Sequence, residues 1–191
     1  MAASDFDTDG DGDGGALNLG CGLDPWGDLR ADFALTPAAN LIVNIEAGHL
    51  PFRDSSFREV RLRCVLEHSR NPGRLLEEIH RILRGGGRLD LLTDNAAYWR
   101  FYLFDELHMG GYHGSSPDDR HYAVFTTEHL RDHLKAAGFS IHVLRLEYWE
   151  PKVSRKKLLD RAVAAIPQIR HFAYPRIRAV AVKEKVQPPP V

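Results

Sequence analysis

Six residues near the amino terminus, Leu17-Asn18-Leu19-Gly20-Cys21-Gly22, form a short apolar run that ends in Gly-x-Gly. Such an ending lets a ligand press against bare backbone, because no Cβ stands in its way. Ten residues on, Asp32 closes a second short segment, Arg30-Ala31-Asp32-Phe33. A carboxylate at the tip of a strand beside Gly-x-Gly can accept both hydroxyls of a ribose. Further along, Leu66-Glu67-His68 sets a carboxylate beside an imidazole. A later stretch is crowded with Tyr98, Trp99, Phe101, Tyr102, Tyr112, His113, His121 and Tyr122. Aromatic side chains with histidines suit an organic acceptor, a histidine serving as general base or orienting donor. Tyr98, Phe101, Tyr102 and Phe104 also have the helical spacing of a core face.

Other constellations carry less. Asp7-x-Asp9-x-Asp11-Gly12 matches the first half of a calcium loop, but the twelfth position is Asn18 instead of a bidentate Glu. His129 and His133 stand four apart on a helix, as zinc ligands can, without the Glu of His-Glu-x-x-His or a third ligand; no metal is expected from them. Lys152, Arg155, Lys156, Lys157 and Arg161 could meet an anionic substrate or a membrane surface, and read more simply as a solvated helix face.

Taken in order, LNLGCG (17–22), Leu50-Pro51-Phe52, Asp54-Ser55-Ser56-Phe57, Leu66-Glu67-His68 and Leu83-Arg84-Gly85-Gly86-Gly87 resemble the class I S-adenosylmethionine (SAM)-dependent methyltransferases, and most of all the type 11 group. The likeness runs over about residues 16–95. It implies that Leu19, Gly20, Cys21 and Gly22 line the methionine and ribose of SAM and that Asp32 holds the ribose hydroxyls. Glu46 or Asn44 would meet the adenine amine, and Ala47 would offer backbone to the adenine edge. Leu66, Glu67 and His68 would end the central strand beside the sulfonium. His68 and His113 are the catalytic candidates. There are departures. Only ten residues separate Gly22 from Asp32, too few for both a helix and a strand, so the helix-dipole contribution to SAM binding is in doubt. The proline usual in the Gly-rich turn is replaced by Gly85.

The elements that must position these residues alternate between strand and helix. Strands are expected over 16–20, 41–43, 59–66 and 88–93, with two long closing strands over 139–149 and 176–185. Helices are expected over 72–84, where Leu75, Leu76, Ile79, Ile82 and Leu83 recur at helical spacing behind Pro72, over 96–108, from Thr126 or Thr127 through Ala137, and over 154–166. The glycines at 85–87 are expected to end the 72–84 helix. Alternation of this kind points to an open α/β sheet. The resemblance implies a Rossmann-like, mostly parallel sheet with the last strand antiparallel.

Central parallel strands buried on both faces read as continuous apolar runs. Here Arg61 and Arg63 alternate with Val60, Leu62 and Cys64, and Asn18 and Asp90 interrupt the neighbouring strands. One sheet face is therefore partly polar and short of helices. An ion pair from Arg61 or Arg63 to Asp90 is expected there, with the 154–166 helix or a second subunit as cover.

Composition sets the outer bounds. The 191 residues fit one domain, over 16–186 with an aromatic insert near 96–125, between an acidic tail at 1–15 and a loose end at 187–191. Lys plus Arg total 25 against 26 Asp plus Glu, which argues against a generic phosphate-backbone binder. The two cysteines, Cys21 and Cys64, cannot build a disulfide scaffold. No apolar run is long enough to cross a bilayer, and an amino terminus rich in Asp is unlike a signal peptide, so a cytoplasmic protein is expected. The expected activity is methyl transfer from SAM to an O, N or C nucleophile of a small organic acceptor, with sugars or glycan precursors as the refinement. The alternative is a catalytically silent SAM- or nucleotide-binding accessory module. A nicotinamide-type Rossmann enzyme is discounted because Pro25 stands where its third glycine would.

Overall fold

A computed structural model describes residues 14–103, 120–148 and 155–185. The acidic segment 1–13, His113, Tyr112, Lys152 and the carboxyl-terminal residues from 186 lie outside the described residues.

Seven strands form one sheet in the order β3-β2-β1-β4-β5-β7-β6. They are β1 (Gly15–Leu19), β2 (Leu29–Asp32), β3 (Leu41–Ile42), β4 (Phe57–Arg63), β5 (Leu83–Asp94), β6 (Phe139–Glu147) and β7 (Arg176–Lys183). Only β7 runs antiparallel to its neighbours, pairing with β5 on one side and β6 on the other. The strand direction expected from the family resemblance is thus observed. β1 opens at Gly15, one residue inside the expected tail.

Helix α1 (Pro72–Ile82) forms where the apolar spacing requires. The Asn71 side chain caps it by accepting the Arg74 N–H at 3.1 Å, and Pro72 occupies the first turn, where its missing N–H costs nothing. The expected helix ran to Arg84 with the glycines ending it. Instead the helix stops at Ile82, and Leu83 already has extended backbone and pairs with Phe57 in β4. The pairing then jumps from Phe57–Leu83 to Glu59–Arg88, so the glycines form an irregular stretch inside β5 rather than a turn between elements. Of the 96–108 helix, a short α2 (Trp99–Leu103) is described. Helix α3 (Thr127–Ala136) is capped by Thr126, and α4 spans Arg155–Ala164. None of the described helices is long and apolar enough to cross a membrane.

The register assigns the two sheet faces opposite characters. Leu17, Leu19, Val60, Leu62, Leu89, Leu91, Ile177, Ala179 and Ala181 share one face and are fully buried. Leu75, Leu76, Ile79 and Ile82 of α1 and Leu130 and Leu134 of α3 join them in one core. Each such Leu or Ile contributes roughly 1.5–3 kcal/mol by leaving water. Asn18, Arg61 and Asp90 stand in one row on the other face. There Asp90 pairs with Arg63 at 3.1 Å and Arg178 at 3.1 Å, with Arg61 further off at 3.9 Å. Arg61 spends its guanidinium mainly on Asp24, at 3.0 Å, and on the Trp26 ring.

This face is polar because its crossovers are short. The links from β1 to β2 and from β2 to β3 contain no helix, so nothing apolar arrives to cover those strands. The cover expected from α4 is not what the structure shows. Its Asp160 is buried against Tyr98 and Trp99, accepting from the hydroxyl at 3.0 Å and the indole N–H at 2.9 Å, and the helix packs mainly on the Arg170–Ala173 turn.

Candidate functional site

The strand order reverses between β1 and β4, which makes their carboxyl ends the natural place for a ligand. Most of the expected site residues gather there. Gly20 and Cys21 both donate their N–H groups to the Ala31 carbonyl, at 2.8 and 3.1 Å, which folds the turn back over β2. Gly22 donates its N–H to Asp32 Oδ2 at 2.8 Å. The Asp32 carboxylate is buried, and its Oδ1 has only a long contact to the Ala34 N–H at 3.5 Å. That oxygen is the acceptor left for a ligand.

The two glycines serve different ends. Gly20 has φ +73°, and a Cβ there would lie 2.2 Å from Val65 Cγ2, so its bareness is used by packing. Gly22 has φ +52°, and a Cβ there would meet nothing within 4 Å, so its bare backbone faces open space. Leu19 and Leu66 are fully buried in the core, so of these two residues only the backbone lies near the turn. The buried Cys21 holds its Sγ 3.9 Å from the Thr36 hydroxyl.

The residues expected at the adenine lie beyond β3. Val43 donates its N–H to the Asp32 carbonyl at 2.8 Å, which sets Asn44 one residue beyond the Asp32 backbone contact. Asn44 caps the Ile45–Ala47 turn by accepting the Glu46 N–H at 2.9 Å. Glu46 in turn accepts the Arg70 N–H at 3.1 Å. Asn44, Glu46 and Ala47 are all exposed. A small pocket of about 130 Å³ opens there between Glu46, His49, Ser69 and Arg74. It is well below the roughly 300–1,000 Å³ of a complete small-molecule site.

Cys64, with φ +52°, turns the chain out of β4 into the Leu66–His68 turn. Glu67 is buried and accepts the Thr93 hydroxyl at 2.8 Å through Oε2, while Oε1 has no hydrogen-bond partner. Burial pushes its carboxyl above the ordinary range, with the backbone and Thr93 hydrogen bonds and the Arg176 charge pulling the other way. The Glu67 carbonyl accepts the N–H groups of Tyr122 and Ala123, at 2.8 and 3.1 Å. This brings His121 onto His68, ring centroids 4.7 Å apart and nearly perpendicular. His68 Nδ1 lies 3.0 Å from the Arg120 carbonyl. Tyr122 lies under the Arg70 guanidinium and meets it through its hydroxyl.

Of the aromatic stretch, His121 and Tyr122 therefore join the site. Tyr98 and Trp99 do not, since Asp160 holds them and Phe101 packs edge-on against Tyr98. Thr93 and Asp94, which steady Glu67 and face His121, were missed by sequence reasoning. Their one signal was the polar pair that follows Leu91-Leu92 at the end of β5.

The family model described as a methyltransferase domain matches residues 17–91, from β1 to β5. No curated protein sequence matches the chain significantly. Among solved structures, a SAM-dependent methyltransferase from Thermotoga maritima is 16% identical with a TM-score of 0.61, covering 91% of this chain and 83% of its own. A complex between the Haloferax volcanii Trm112 methyltransferase activator and a methyltransferase gives 15% identity and a TM-score of 0.60 over 92% of this chain and 85% of that one. A methyltransferase from Bacillus halodurans gives 17% identity and a TM-score of 0.56 over 91% and 94%. At these identities the structures speak for the fold, which is that of the class I SAM-dependent methyltransferases. Over residues 17–91 the chain is similar to the methyltransferase domains that the family model describes.

Proposed function

We propose that this chain transfers a methyl group from SAM to an O, N or C nucleophile of a small organic acceptor, with a sugar or glycan precursor as the acceptor class. The observation that carries the reading is the buried Asp32 carboxylate, locked by the Gly22 N–H and presenting Oδ1 at the carboxyl edge of the sheet. A buried carboxylate with one oxygen so placed suits a vicinal diol, and the open backbone at Gly22 suits close approach of the ribose.

SAM supplies the chemistry, an electrophilic methyl group on a sulfonium. In this reading Asp32 accepts the ribose hydroxyls. Glu46, or Asn44, meets the adenine amine, with the Ala47 backbone at the adenine edge. Cys21 and Gly22 line the middle of the cofactor, and Glu67 and His68 flank the reacting end with His121. Alignment does most of the work in a displacement of this kind, so these residues act chiefly by fixing two reactants in line. The acceptor enters on the side of His68, His121 and Tyr122. We further propose a cytoplasmic protein, and a second copy of the chain as the cover for the face around Asp90, readable as a dimer by analytical ultracentrifugation.

Calorimetric titration of SAM and S-adenosylhomocysteine tests the cofactor half. Wild type is expected to bind both, and Asp32→Ala and Asp32→Asn to lose more than about 1.5 kcal/mol, the scale of a charge-assisted hydrogen-bond pair. Absence of binding by wild type at millimolar ligand overturns the enzymatic reading.

A second reading has its own support. Gly20 and Cys21 commit their N–H groups to Ala31, and no helix follows the turn. The chain thereby lacks the helix N-terminus that binds anions in related folds. This favours an accessory module that binds SAM without turnover, and the Trm112 complex is a precedent for partnership within the fold. Binding of SAM with no methylation across an acceptor screen selects this reading.

A further inference from the structure

Glu67, His68 and His121 form the one group among the described residues whose side chains could together hold a metal ion, with one ligand atom from each lying within 4.8 Å of the others. They come from two segments tied to each other through the Glu67 carbonyl and the N–H groups of Tyr122 and Ala123, so the grouping is built into the backbone. The chemistry of each side chain fits a ligand. Glu67 is 1% exposed, has Oε2 steadied by Thr93, and keeps Oε1 in the interior without a hydrogen bond. His68 Nδ1 faces a carbonyl oxygen, which can only accept, so Nδ1 carries the proton and Nε2 carries the lone pair. His121 is 3% exposed, and its Nδ1 lies 3.8 Å from Asp94 Oδ2, close enough for the carboxylate to approach the ring but beyond hydrogen-bond distance. Asp94 is itself held by Arg176.

We propose that Glu67, His68 and His121 bind a divalent transition-metal ion of the zinc type. Bonds of about 2.0–2.1 Å would draw the ligand atoms to separations of about 3.3 Å, within reach of small side-chain rotations. Two imidazoles and one carboxylate leave a coordination position open, as in catalytic rather than closed structural sites. In the methyl-transfer reading, on which this last step rests, that position takes an oxygen of the acceptor. The acceptor is then a hydroxyl compound, because a bound metal favours the ionised oxygen over the neutral one. His68 is in this assignment a ligand rather than a free base. Glu67 and His68 are adjacent in sequence, but His121 lies more than fifty residues further on, so no local window holds the set.

Cobalt(II) titrated into the full chain is the test, followed by visible absorption and competed with zinc. One cobalt per chain, with d–d bands of a nitrogen- and oxygen-ligated ion, is expected. His68→Gln and His121→Gln lower the affinity by at least about 100-fold while His129→Gln leaves it unchanged. His68 is only half-buried, so its variant is the one expected to keep the wild-type melting temperature. Equal uptake by wild type and His68→Gln, or no specific uptake by wild type, overturns the site. SAM titration of the same samples separates the two ideas. Cobalt binding without SAM binding leaves the metal site standing and removes the methyl-transfer reading, whereas SAM binding without cobalt binding removes the metal site alone.

Discussion

The carboxylate of Glu78, on α1, accepts the backbone N–H of Leu50 at 2.9 Å across 28 residues of chain. Arg81, one turn on, pairs with Glu78 and donates to the carbonyls of Leu50 and Phe52 and to Asp54. The Leu50-Pro51-Phe52 motif is thus a structural clasp: it fixes the loop that follows the Ile45–Ala47 turn onto α1.

This clasp predicts an acid-sensitive loop. Burial alone would raise the Glu78 carboxyl, but hydrogen bonds from Arg81 and the Leu50 N–H, with the Arg81 and His49 charges, hold it down at about 2 against an ordinary 4.5. A carboxyl lowered on folding stabilises the native state above its unfolded value and loses that contribution as pH falls through the folded one. The wild-type melting temperature should therefore fall between pH 4.5 and 2 more steeply than that of Glu78→Gln. At pH 7 the variant should be less stable by about 3 kcal/mol, since Arg81 is left facing a neutral partner. Parallel melting curves for the two proteins would remove Glu78 from this role.

Substitutions at the two turn glycines should separate folding from binding. Gly20→Ala puts a methyl group 2.2 Å from Val65 at φ +73°, and should abolish cooperative melting or cut expression of folded protein. Gly22→Ala has open space and should cost only about 1–2 kcal/mol from its left-handed backbone. The same variant should weaken SAM binding well beyond that loss, since its methyl group projects where the ligand is proposed to lie. Calorimetry and chemical denaturation on both variants check this.

Asp90 is 4% exposed and receives Arg63 and Arg178 from the strands on either side. Asp90→Ala should destabilise by about 2–3 kcal/mol, because two partly buried guanidinium groups lose their acceptor. Replacing Asp90, Arg63 and Arg178 together by apolar residues should restore most of that loss. Urea denaturation of the single and triple variants distinguishes an ion-pair layer from mere bystanders.

Neither cysteine should behave as a reactive thiol. Burial, and the Glu67 charge beside it, push Cys64 up to about 11, and burial also raises Cys21. The thiolate fraction near pH 8 is then small. Both should react with a disulfide reagent slowly in the folded protein and rapidly in denaturant. Fast labelling of Cys64 without denaturant would contradict its place beneath the Leu66–His68 turn.

Local pattern carried much of this architecture. The spacing of Leu75, Leu76, Ile79 and Ile82 placed α1, and the alternation of Arg61 and Arg63 with Val60 and Leu62 announced a one-sided sheet with Asp90 among arginines. Gly22 and Asp32 were legible because a short spacing and a strand end bring them together. Other features depend on contacts no local window holds. The glycines at 85–87 look like a turn in isolation, and only the pairing of Leu83 with Phe57 makes them part of a strand. Glu78 reads as one more charge on a helix until Leu50 returns to it. His121 could not be matched to His68 because the link runs through the backbone of Glu67.

The position of β7 has a consequence for the order of synthesis. The last strand lies between β5 and β6, so β6 has no place in the sheet until residues through Lys183 have been made. Asp90 and Asp94 likewise wait for Arg178 and Arg176, which β7 delivers. A ribosome-bound chain short of β7 therefore presents one open sheet edge, with Asp94 lacking Arg176 and Asp90 holding only the arginines of β4, and the domain closes as a unit only when its final strand slides in.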